Sequence, residues 1–172
     1  MRLVRTITAM SQAYWVEMTA DAESHSLQGA IDGGALIDFR VEFERLEPLA
    51  SGSVDDPVNP TELRLTLDDG IGEATTATIT VRWSGEFDYN IHYSDSMDRN
   101  LRWDLHPHDY TAPENAVHYH PPPDASTDDD TVEASCIRVT EVLLVARAVH
   151  QLWRAGYENR TVDPLNIADN PP

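Results

Sequence analysis

The sequence contains no lysine. All twelve basic residues are arginine, set against 30 Asp and Glu, for a formal charge of −18 over 172 residues. A compact state carrying that charge repels itself in dilute buffer, and the repulsion fades as the screening length falls to about 3 Å at 1 M salt. The missing lysine and the acidic excess together point to a salt-rich cytoplasm and exclude capture of nucleic acid by a broadly basic surface. Cysteine is almost as scarce. Cys136 stands alone, which excludes an internal disulfide and a cysteine-built zinc framework; its apolar flanks read as those of a buried, inert thiol. No stretch approaches the ~20 apolar residues of a membrane helix. The opening MRLVRTITAM has neither a long apolar run nor a small-residue cleavage site, so a cytoplasmic location is expected. Phosphate-cradling glycine loops, a Gly-x-Ser-x-Gly elbow and a dinucleotide fingerprint are also missing.

What is present is a run of alternating segments. The length suits one domain, and no internal repeat divides it. Residues 1–24 are ambiguous: Tyr14, Trp15 and Met18 can line a helix face, against β-branched neighbours that weaken it. After Gly33-Gly34, alternation in ALIDFRVEFERL sets Ile37, Phe39, Val41 and Phe43 against Asp38, Arg40, Glu42 and Glu44, which predicts a half-buried strand. SGSVDDPVNP reads as a loop. Four more strands follow on the same pattern, with Leu63, Leu65 and Leu67, then Ala77, Ile79, Val81 and Trp83, then Phe87, Tyr89, Ile91 and Tyr93, then Leu101, Trp103 and Leu105 facing inward. Short connections between them predict an antiparallel meander.

Residues 107–135 show no period and hold Pro107, Pro113, a triple proline and Asp128-Asp129-Asp130, the pattern of a long loop mobile around its acidic run. Beyond it Val142, Val145, Ala146, Val149, Leu152 and Trp153 recur at helical spacing, with Thr140 placed to cap and Arg154 and Arg160 near the far end. The expectation is an α+β fold: a single antiparallel sheet of about five strands packed against a C-terminal helix, one domain over 1–160, with 161–172 a loose tail.

Alternate residues on a strand share a face, so the polar phase gathers Arg40, Arg64, Arg82, His92, Arg102, Asp104 and His106 on one side of the sheet. Arginine grips phosphate bidentately and histidine is the general acid or base of neutral pH. Cleavage of RNA by its own 2′-hydroxyl needs a base, an acid and a cation beside the phosphate, and this face carries all three. The bland alternative is a solvated face whose arginines pair with Glu42, Glu62 and Asp88. Five of the seven histidines lie between His92 and His120, including the pairs His106-Pro107-His108 and His118-Tyr119-His120. In an extended segment each pair points both imidazoles one way, a geometry usable by a transition metal, although Pro107 can break the phase of the first. The competing readings are that these histidines tie the loop to the sheet by hydrogen bonds, or that they act without metal.

In order, Tyr89-Asn-Ile-His92-Tyr93, Leu101-Arg102-Trp103-Asp104, His106-Pro107-His108 and His118-Tyr119-His120 before a terminal helix resemble the TumE-like toxins of type II toxin–antitoxin pairs, over Leu36 to Tyr157. The composition suits a haloarchaeal branch. Departures are the Leu105-His106-Pro107-His108 segment, the acidic insertion at 124–133 and a longer terminal helix. The resemblance implies a growth-inhibiting toxin neutralised by a cognate antitoxin, with RNA as the expected target.

Together these readings give a toxin acting on RNA without a tightly bound metal or other cofactor. His92 and one of His106 or His108 would serve as base and acid, Arg102 would stabilise the phosphate, and Asp104 would orient a histidine. Arg40, Arg64, Arg82, Tyr93, His118 and His120 are the candidate substrate contacts. Two alternatives stand beside this: a non-catalytic module whose exposed face binds a partner, and a hydrolase dependent on a histidine-held metal.

Overall fold

Alternating side chains build the sheet, and helical ones cover a single face of it. In the computed structural model, which describes residues 26–167, helix α1 (Gly33–Leu46) leads into seven strands, β1 (Ala50–Val54), β2 (Leu63–Leu67), β3 (Ala77–Trp83), β4 (Tyr89–Asp95), β5 (Asn100–Leu105), β6 (Val117–His120) and β7 (Glu133–Ala134). Helix α2 (Val142–Asn159) and a 3₁₀ turn (Asp163–Asn166) follow. The strands lie side by side in chain order, every pairing antiparallel. The expected meander is therefore present with seven strands rather than five. The helical reading of Tyr14, Trp15 and Met18 falls outside the described residues.

The segment expected as the first strand is helix α1. Leu36, Phe39 and Phe43 are fully buried while Val41 is 55% exposed, which is the i, i+3, i+7 stripe of a helix and not the alternation of a strand. Phe39 and Phe43, four apart, satisfy both periods, and that coincidence produced the strand reading. The start is fixed by Asp32, whose carboxylate accepts the Ala35 N–H at 3.1 Å, the capping role its short side chain suits. Arg40 accordingly leaves the sheet's polar face. It sits on α1, with its Nε 3.9 Å from Glu44.

Three strands lie in segments whose composition reads as loop. Edge strand β1 is built from the small residues Ala50–Val54, and β6 and β7 lie inside the proline-rich stretch 107–135. Helices α1 and α2 pack on the apolar face, where Leu36, Phe39 and Phe43 join Val145, Val149, Leu152 and Trp153 over Leu65, Ile79, Val81, Ile91 and Trp103 in one core. All the α2 positions expected inward are in that core or packed against it. The cap, however, is Glu141 rather than Thr140.

Two carboxylates join the helices. Glu42 accepts from Arg45 Nη2 at 2.7 Å and from Arg147 Nε at 2.6 Å. These two bonds hold its pKa down at about 2. Glu47, fully buried, faces His150 Nε2 and Arg154 Nη1, each at 3.4 Å. Residues 161–167, expected as a loose tail, are docked: Leu165 is fully buried and its carbonyl accepts the Trp103 indole N–H at 2.9 Å. Among the described residues no helix is long and apolar enough to cross a membrane.

Candidate functional site

The helices leave the other face of the sheet to its polar phase, and the register aligns that phase into two rows. Arg64 lies opposite Thr80, Thr80 opposite His92, His92 opposite Arg102, and Arg102 opposite His120. One step along, Arg82 faces Asn90, Asn90 faces Asp104, and Asp104 faces His118. Directly opposed side chains on one face have Cβ atoms about 4.5–5.5 Å apart, so each row is a line of neighbouring polar groups. The sequence reading had placed Arg64, Arg82, His92, Arg102 and Asp104 on this face, and the structure does so too. His118 and His120 return beside them on β6, after the 106–116 connection.

At the β5–β6 end the rows converge on Asp104, which has no exposed surface. Its Oδ1 accepts from Asn90 Nδ2 at 2.7 Å and its Oδ2 from Arg102 Nε at 2.6 Å. Three imidazole Nε2 atoms also face Oδ2: His120 at 3.3 Å, His106 at 3.5 Å and His118 at 3.6 Å. Burial alone would push the carboxyl pKa up. The bond from His106 and the Arg102 charge outweigh it and hold the group well below the usual carboxylate range.

Backbone carbonyls set the tautomers of these rings. His106 Nδ1 lies 2.9 Å from the Pro107 carbonyl, His118 Nδ1 3.0 Å from that of Ala116, and His120 Nδ1 2.7 Å from that of Ser126. A carbonyl only accepts, so each Nδ1 carries the proton. Each Nε2 then carries a lone pair toward the carboxylate unless the ring is doubly protonated. His120 resolves this by accepting from Arg102 Nη2 at 2.9 Å. For His106 a second proton is favoured: burial opposes the charged form, but the Asp104 carboxylate and the Pro107 carbonyl raise its pKa above the ordinary value. His118 does neither. Burial drives its pKa down to about 3, and its Nε2 has no hydrogen-bond partner. Asp104, His118 and His120 bring ligand-type atoms within 4.8 Å of one another.

The remaining candidates are arranged more loosely. His92 is half-buried, and burial, then the Arg102 charge, lower its pKa. Arg82 is exposed, and Arg64 reaches Glu62 at 3.7 Å, the one pairing of the bland alternative that forms. Glu42 pairs instead with arginines outside the sheet. His108 and His106 part company at Pro107. Both His108 ring nitrogens hold the loop, Nε2 against the Asn115 carbonyl at 2.8 Å and Nδ1 accepting from the Tyr110 N–H at 3.2 Å. Tyr93 belongs to the opposite, apolar face, fully buried, with its hydroxyl on Asp95 at 2.8 Å. Two residues the sequence reading passed over complete the site: Asn90, which fixes Asp104, and Tyr110, whose ring packs edge-on against His118 and His120. The alternation of β4 signalled Asn90; nothing local signalled Tyr110.

Fold and site thus define an α+β protein with one helix-covered sheet face and one reactive-looking face built of arginine, histidine and a buried aspartate. Residues 39–160, more than two-thirds of the chain, match the family described as Toxin TumE, and the chain belongs to that family of toxins. No curated protein and no solved structure matches it.

Proposed function

We propose that this toxin is the effector of a type II toxin–antitoxin pair in a haloarchaeal-type, salt-rich cytoplasm, and that it acts as a ribonuclease through the polar face of its sheet. The observation that carries this reading is the row Arg64–Thr80–His92–Arg102, flanked by Arg82. It gathers three of the chain's arginines around a half-buried histidine that is not an ion-pair partner of a carboxylate. A lowered pKa keeps His92 neutral at pH 7, the state in which it takes a proton from a ribose 2′-hydroxyl. The O2′–phosphorus bond then forms, the phosphorus–O5′ bond breaks, and the 5′-oxygen takes up a proton. Arg102, with Arg82 and Arg64, offsets the charge that builds on the phosphate oxygens. His106, held protonated against Asp104, is the acid once the 107–116 loop yields to substrate. His108 is spent on that loop and drops out of the acid role. An antitoxin covering this face blocks it.

The test is inducible expression in a salt-adapted host. Wild type should arrest growth and leave cleaved RNA with 2′,3′-cyclic ends, and His92→Ala should restore growth at equal soluble yield. Arrest by both proteins would leave a toxin but remove His92 as its base. Absence of arrest by folded wild type would favour a partner-binding module.

A further inference from the structure

The Asp104 centre holds more than a carboxylate needs. Arg102 already supplies Asp104 with a full countercharge at 2.6 Å and Asn90 satisfies its other oxygen. Even so, the fold delivers two further imidazoles from β6, each with its proton committed to a backbone carbonyl and its lone pair turned inward. Leaving His118 Nε2 buried with no partner carries a desolvation penalty. A hydroxyl or amide from the chain would remove that penalty, and none is supplied. Metal-ligating histidines characteristically donate their second ring N–H to a carbonyl or carboxylate, which fixes the tautomer and aims the other nitrogen. His118 and His120 have that arrangement.

The spacings fit. Ligand–metal bonds of about 2.0–2.1 Å in tetrahedral geometry place neighbouring ligand atoms about 3.3–3.4 Å apart. The Oδ2 of Asp104 lies 3.3 Å from His120 Nε2 and 3.6 Å from His118 Nε2. Two histidines and one carboxylate form a three-ligand set with open positions, suited to zinc, iron(II) or manganese(II). The obstacle is Arg102, whose Nε and Nη2 occupy the Asp104 oxygen and the His120 lone pair that an ion would use. Its side chain is 24% exposed, while those of Asp104, His118 and His120 are fully buried. Arg102 is therefore both the plug and the side of entry.

We propose that Asp104, His118 and His120 form a binding site for one divalent transition-metal ion, which enters by displacing the Arg102 guanidinium. His106 Nε2, 3.5 Å from the same Asp104 oxygen, stays outside the ligand set. Displacement frees Arg102 toward the sheet surface, beside His92. The site stands independently of the RNA reading, because it is defined by binding and not by toxicity.

The test is a zinc titration of the full-length protein, stripped with chelator and kept in its folding salt, against a chromophoric competitor. One zinc per chain is expected. His118→Gln and His120→Gln should each weaken binding by about 100-fold or more, His92→Ala should leave it unchanged, and Arg102→Met should bind at least as tightly as wild type. Nitrogen NMR of the imidazoles in zinc-loaded wild type needs no variant: the Nε2 signals of His118 and His120 should shift while their Nδ1 protons stay. Folded wild type that takes up no stoichiometric zinc would overturn the site, as would unshifted Nε2 signals. Weakened binding in Arg102→Met would overturn the displacement. A toxin that still binds zinc with His92→Ala still arresting growth would fault the reactive row and leave the metal site standing.

Discussion

Single side chains set how this molecule responds to acid. Glu42 ties α1 to α2 through Arg147 and to its own helix through Arg45, and its pKa is held at about 2 against 4.5 for a free side chain. Between those two values the unfolded chain binds a proton that the native state refuses. Stability from this residue is thus complete above about pH 4.5 and is lost as pH falls toward 2. Glu42→Gln should flatten that part of the pH profile, read as the urea midpoint at pH 4.5 and at pH 3. A variant whose profile parallels wild type would show that the bridge contributes nothing. Core residues act differently, through volume. Trp153 is fully buried between the helix and the sheet and stacks on Tyr157 with ring centroids 5.0 Å apart. Trp153→Ala should lower stability by about 3–5 kcal/mol, measurable by chemical denaturation.

At the level of elements, the 3₁₀ turn is the piece most easily released. Its hold on the sheet includes the Trp103 indole bond to the Leu165 carbonyl and the Asn166 side-chain carbonyl that accepts the Cys136 N–H at 2.8 Å. Trp103→Phe removes the first bond while keeping an aromatic ring, so amide exchange should rise over 161–167 before it rises in β3 or β4. Uniform loss of protection would mean that turn and sheet unfold together. The same elements show how far local pattern reaches. Strands β2 to β5 and helix α2 are visible because their periods run long enough to be distinct. The strand pattern over α1 arises because Phe39 and Phe43 fit either period; the cap at Asp32 is a local signal that points to the helix, and the burial of Glu42 belongs to tertiary context. Strand β6 is four residues among prolines, and its pairing with β5 is decided by the hairpin, not by its own composition. The site followed suit: the β3–β5 residues Arg82, His92, Arg102 and Asp104 were legible as one face. The alternation of β4 also puts Tyr93 on the apolar face, whereas the convergence of His118 and His120 on Asp104, the departure of Arg40 with α1 and the engagement of His108 with its own loop were not legible.

For the molecule as a whole, charge decides the conditions in which the fold is stable. With a formal charge of −18 and no lysine, repulsion between exposed carboxylates is long-ranged at about 0.1 M salt, where the screening length is about 10 Å, and short-ranged above 1 M. The urea midpoint should therefore climb as KCl rises from 0.1 M to 2 M. A flat or falling midpoint would separate the acidic composition from any adaptation to salt.

The chain-order sheet has a further consequence, for the newborn polypeptide. Because each strand neighbours the one made just before it, a ribosome delivers every new strand next to the edge it will extend, and the sheet can grow without waiting for distant sequence. Its apolar side does have to wait. Trp153 and the other α2 side chains that close the core follow all seven strands in the chain, so the finished sheet is covered on that side by α1 alone until α2 is made. His118 and His120 also emerge late, after the arginines they will neighbour. An arrested or truncated chain would therefore display much of the polar face without its buried anchor. Synthesis itself then times the order in which the molecule becomes a sheet, acquires its centre and closes its core.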